Sequence, residues 1–63
     1  GTSTKEFKLI GSTGIAYTDL MPSGKVEIEN KLYDATSEIG FIEAGNSVKV
    51  VDYAAAQLKV RSI

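Results

Sequence analysis

Cysteine and histidine are absent from this chain, and proline and methionine occur once each. Without cysteine there is neither a disulfide staple nor a thiolate, and without histidine there is no imidazole base or imidazole metal ligand. No apolar run approaches the roughly 20 residues that span a bilayer as a helix, and no stretch of these residues is expected to act as a signal peptide. The formal charge of −1 gives no long-range attraction for nucleic acid or anionic lipid. With 63 residues the chain lies near the lower size limit for a self-sufficient core. Its stability therefore has to come from compact packing or from a partner.

What is present is an ordinary globular composition, 43% hydrophobic and 24% charged, too apolar for a disordered segment. The start, "GTSTKEF", is small and polar. Residues 1–6 are expected to be a tail, linker or tag remnant, residues 7–63 one folded domain, and the whole a piece of a longer protein. From Phe7 onward apolar and polar residues alternate, broken by turn signals every eight to twelve positions, the spacing of a small all-β barrel. "DYAAAQLKV" is the best helical candidate, but it is short and flanked by β-formers.

The sequence "MPSGK" reads as a three-residue hairpin loop, with Pro22 presetting its φ, Ser23 a turn former and Gly24 at positive φ. That loop pairs Leu20 with Val26 and puts Gly14, Ala16, Thr18 and Leu20 on the face of Val26 and Ile28. "IENK" reads as a two-residue turn with Asn30 in the left-handed region, pairing Val26 with Tyr33 and Lys25 with Asp34. A third strand follows over about Lys31–Ser37. After the glycine-containing crossing segment "SEIGFIEAGN", strands near Ser47–Asp52 and Gln57–Arg61 are expected to put Val50 opposite Val60 across a three-residue loop. The predicted fold is a five-stranded OB-like barrel lacking the usual helix between strands 3 and 4.

Chemistry is hard to assemble from these residues. Glu27 and Glu29 are neighbours on the outward face of one strand, which is the arrangement of a solvated face. Ser23 has no base to activate it, and "GSTG" lacks the lysine and helix of a phosphate loop. No catalytic residue, cofactor or metal is expected. Among outward positions, Tyr17 is the single base-stacking candidate, and Asp19, Glu27, Glu29 and Asp34 surround it against Lys25. That argues against phosphates, although an oligonucleotide-binding barrel remains the alternative reading. For a protein partner, Ile15, Tyr17 and Leu32 are outward apolar residues expected to merge into a patch, with Met21 at a loop tip and Phe41 in the crossing loop.

The motifs at Gly11, Gly14, Ala16, Thr18-Asp19-Leu20, Pro22-Ser23-Gly24, Tyr33-Asp34-Ala35, Ser37-Glu38, Phe41-Ile42, Gly45, Val48 and Val50-Val51 resemble the C-terminal soluble domain of the NfeD family. Asn30 stands where that family usually has glycine, Ala54-Ala55-Ala56 lacks a frequent glycine, and Ile39 replaces a small or polar residue. The resemblance implies a non-catalytic assembly module at the end of a membrane protein, anchored only through segments outside this chain and expected on the cytoplasmic side. It implies a stomatin- or prohibitin-like scaffold, or further copies of itself, as partner. A Clp-like serine protease domain belongs to long family members, and none of its catalytic motif falls here.

Overall fold

The computed structural model describes residues 8–63; the tail expected at residues 1–6 lies outside them. Five strands form, β1 (Thr13–Ala16), β2 (Ser23–Ile28), β3 (Lys31–Ser37), β4 (Ser47–Ala54) and β5 (Gln57–Ser62). They close into a barrel in the order β1-β2-β3-β5-β4. All pairings are antiparallel except β3 with β5, which is parallel and joins the three-stranded meander to the last hairpin. No helix separates β3 from β4, as expected.

Inward positions follow from the alternation. Ala16, Val26, Ile28, Ala35, Val48, Val50, Leu58 and Val60 are buried, joined by Leu20 and Ile42 from the two long loops, with Leu9, Tyr33 and Tyr53 packed against them. Closure through β3 and β5 covers most of the two free edges that an open five-stranded sheet would carry, the pairing of β3 with β5 running from Ala35 to Ser37.

The β2–β3 hairpin matches its sequence reading position for position. Val26 pairs with Tyr33 and Lys25 with Asp34, and Glu29 and Asn30 sit at φ 53° and 67°. Two consecutive positive φ angles are the type I′ pattern, whose twist suits a two-residue hairpin.

The β1–β2 connection differs. Val26 pairs with Ala16, four positions earlier than the expected Leu20, because residues 17–22 leave the sheet as a long loop. "PSG" is therefore not the turn. The Met21–Pro22 bond is cis, Pro22 lies just ahead of β2, and Ser23 and Gly24 are its first residues. Gly24 is not among the positive-φ residues. What it supplies is room, since a Cβ there would stand 2.5 Å from the Asp19 carbonyl oxygen and 2.7 Å from a Leu20 methyl. Thr18, expected inside, is exposed; its hydroxyl accepts the Lys25 N–H at 3.0 Å and donates to the Asp19 carbonyl at 3.1 Å. The displacement is even-numbered, so every other inward residue keeps its face.

In the last hairpin Val50 does face Val60, but the turn is the two-residue Ala55-Ala56, and the extra residue appears as a bulge between Val50 and Asp52. Both alanines have positive φ, 55° and 63°, a region that disfavours L-residues with a Cβ by roughly 1–2 kcal/mol each. Replacing Ala55-Ala56 by Asn-Gly is expected to stabilise the domain by about 1 kcal/mol and raise its melting temperature by roughly 4–8 °C. An unchanged or lowered melting temperature in a calorimetric scan would show that this turn is not I′.

Candidate functional site

One end of the barrel is built by the β1–β2 loop, the β3–β4 crossing segment and the exit of β5. A single two-residue bridge organises it. Leu20 N–H donates to the Ile42 carbonyl at 2.8 Å and Ile42 N–H donates to the Leu20 carbonyl at 3.1 Å. Leu20 and Ile42 turn inward and are buried. Side chains alternate along extended backbone, so the next positions along the bridge, Met21 and Phe41, turn outward. They are 70% and 56% exposed, and Ile39, two residues before Phe41, is 68% exposed.

The loops that carry this tip are pinned. Ser37 N–H donates to the Pro22 carbonyl at 2.7 Å and Glu38 N–H donates to the Val60 carbonyl at 2.7 Å. The Ser37 hydroxyl donates to the Ile39 carbonyl at 3.0 Å. On the other side the Asp19 carboxylate accepts the Ala44 N–H at 2.8 Å, so Asp19 is a loop anchor and not a free surface charge. Backbone fixed in this way leaves less conformational entropy to be lost when the apolar tip is covered.

The outward face of β1–β3 carries the other candidates, but not as one patch. Ile15 pairs with Glu27, and Glu27 pairs with Leu32, so β2 and its glutamate lie between the two apolar side chains. The expected merger of Ile15 and Leu32 on adjacent strands is corrected by this register. The neighbouring row holds Tyr17, whose N–H donates to the Lys25 carbonyl at 2.9 Å, then Lys25 and Asp34, whose side chains form an ion pair at 2.6 Å. Lys25, the one cation of this face among the described residues, is thus paired with a carboxylate.

In the sequence Met21 and Phe41 stand far apart, with no sign that they are neighbours. Ile39 was visible in the sequence only as an added apolar loop residue. The bridge that joins residues 20 and 42 is non-local, and no periodicity within either loop encodes it. Among the described residues no group of three or more acidic side chains is placed to hold a metal ion, and no helix is long and apolar enough to cross a membrane.

Comparison with known proteins gives a consistent picture. Residues 8–61 match the model of the NfeD-like C-terminal, partner-binding domain. A curated relative, membrane protein NfeD1b of Bacillus subtilis (strain 168), is 40% identical over 55 residues. That alignment takes in 87% of this chain and 13% of the relative, so the chain spans only a small part of that protein's length. Among solved structures, the C-terminal domain of stomatin operon partner protein 1510-C from Pyrococcus horikoshii superposes with a TM-score of 0.85 at 33% identity, covering 90% of this chain and 91% of that one. The soluble domain of a Corynebacterium glutamicum membrane protein implicated in regulation of membrane protease activity shares the fold, with a TM-score of 0.78 at 22% identity over 87% of this chain and 92% of that one.

Proposed function

This chain belongs to the NfeD family as its C-terminal, partner-binding domain, and on that premise we propose that it is a non-catalytic assembly module of a membrane protein, docking a stomatin- or prohibitin-like scaffold. The observation that carries the proposal is the pinned apolar tip, where Met21 and Phe41 turn outward from one backbone bridge. Large apolar side chains held in water on ordered loops fit the centre of a protein interface, where aromatic and methionine side chains are enriched. The scaffold is supported by a relative that is a membrane protein and by a structural neighbour named as a stomatin operon partner. On this reading Tyr17, Ile15 and Leu32 form a more polar flank, and the domain lies on the cytoplasmic side of the membrane.

A pull-down of a stomatin-like protein from the same source tests it. Met21→Ser with Phe41→Ser is expected to lower retention by about tenfold or more, as loss of an interface anchor worth roughly 2 kcal/mol does. Retention equal to that of the unaltered domain would remove the tip from the interface. The oligonucleotide reading has the Lys25–Asp34 ion pair and the acidic face against it. Micromolar, salt-sensitive binding of short single strands would reverse that preference.

A further inference from the structure

Away from the tip, the β3–β5 seam is only partly closed. The parallel pairing runs from Ala35 opposite Leu58 to Ser37 opposite Val60, so residues 31–34 of β3 extend beyond it. The direction of their backbone groups follows from bonds further along the strand. Ser37 N–H points to Pro22 on the β2 side and Glu38 N–H points to Val60 on the β5 side. Alternation then sends the N–H and C=O of Lys31, Tyr33 and Ala35 to β2, and those of Leu32, Asp34 and Thr36 away from it.

The parallel register brings the Leu58 N–H to the Asp34 carbonyl. Among the described residues it leaves the Leu32 N–H, the Leu32 C=O and the Asp34 N–H without a strand beside them, because β5 begins at Gln57 and the chain ahead of it turns back through Ala55-Ala56. At this place the surface holds a concavity of about 240 Å³, lined by the Lys25–Asp34 ion pair together with Leu32, Tyr33, Tyr53, Ala56 and Leu58. An open edge and an adjoining hollow are two separate features, and they coincide.

We infer that this edge of β3 takes an extended peptide segment of a partner protein as an added strand, with one side chain of that segment entering the hollow. The occupant is polypeptide because the groups on offer are a donor, an acceptor and a donor at β-strand spacing, matched by main chain and not by phosphate. Phosphate is also opposed by the Leu32 carbonyl and the Asp34 carboxylate, the latter already paired with Lys25. The walls of the hollow combine aliphatic and tyrosyl side chains with the Lys25–Asp34 ion pair, so the side chain that enters carries a polar end as well as an apolar body. Binding there leaves the Met21–Phe41 tip free, so the domain holds two partner segments at once. This inference rests on the reading of the domain as a partner-binding module.

The test pans a random heptapeptide phage library against the purified domain and titrates synthetic copies of the recovered peptides into isotope-labelled domain. The expected result is a shift of the Leu32 and Asp34 amide signals, slowing of their hydrogen exchange, and about tenfold or greater loss of affinity when alternate peptide nitrogens are methylated. Leu32→Pro removes one of the two outward donors without touching the β2 ladder, as proline is tolerated on a free edge, and is expected to weaken binding by about tenfold or more. If that variant does not fold, the methylated peptides decide alone. Absence of any binding peptide, or shifts confined to Met21 and Phe41, would overturn the inference, as would protection of Leu32 by rising concentration of the domain itself, which would make the occupant a second copy. The two readings fail separately. Peptides that protect Leu32 while a stomatin-like protein is not retained keep the edge and remove the scaffold. Retention unaffected by Leu32→Pro, with no peptide at the edge, does the reverse.

Discussion

Gly24→Val is expected to destabilise the domain by about 2–3 kcal/mol, the upper part of the range for overpacking a well-filled site. The cause is lack of space. A Cβ at residue 24 would lie 2.5 Å from both the Asp19 carbonyl oxygen and the Thr18 hydroxyl oxygen, and 2.7 Å from a Leu20 methyl. Two of these three atoms belong to polar groups that fix the β1–β2 loop, so relieving the overlap displaces the loop that carries the tip. Gly24→Asn separates this account from a turn-based one. Asparagine tolerates positive φ, and a left-handed glycine would accept it with little loss; at a crowded strand position it is expected to be about as harmful as alanine or worse. Urea unfolding midpoints of the valine, asparagine and alanine variants decide the matter. A midpoint for Gly24→Asn equal to that of the native chain would restore the turn.

Leu20→Ala has the largest expected effect, about 2–5 kcal/mol, the range for truncating a fully buried leucine. Leu20 is not in a strand, yet it is completely buried, and it is one half of the bridge to Ile42. A domain of this size has a total stability on the order of 3–9 kcal/mol, so the variant is expected to be largely unfolded near physiological temperature. Its neighbour supplies the control. Met21→Ala removes a side chain that is mostly in water, and surface changes of this kind usually alter stability by less than about 0.5 kcal/mol. Equal losses from the two substitutions would mean that the bridge does not divide the loop into an inward and an outward residue.

The parts of the fold that were legible in the sequence are the locally encoded ones. Glu29-Asn30 set the β2–β3 register because a two-residue turn leaves no freedom in the pairing that follows. Alternation then named Val26, Ile28, Val48, Val50, Leu58 and Val60 as core, and all are buried. The β1–β2 register was not legible. Pro22-Ser23-Gly24 has turn composition, but the loop that contains it is held by Ile42 and Ala44, more than twenty residues away, and local sequence says nothing of such partners. Period-two alternation survives an even slip, so the faces came out right although the partners were wrong. Gly24 shows the same ambiguity in one residue, because glycine serves equally for positive φ and for close approach.

The candidate site divides along the same line. That Met21, Phe41, Ile15, Tyr17 and Leu32 point outward was readable from alternation and loop position, and all are exposed. Their grouping was not. Ile15 and Leu32 are held apart by Glu27 through the strand order, while Met21 and Phe41 are brought together by a tertiary bridge. The two free donors and one free acceptor of β3 emerge only when the short parallel seam with β5 is known. Composition had no bearing on it.

The most direct measurement is amide chemical-shift mapping of the isotope-labelled domain during titration with the soluble part of a stomatin-like protein from the same source. The largest perturbations are expected at Met21, Ile39 and Phe41 and along the loops that carry them. Perturbations centred on Glu27, Glu29 and Lys25 with that tip unmoved, or no binding at concentrations reaching the millimolar range (about −4 kcal/mol), would contradict a partner surface at this end of the barrel.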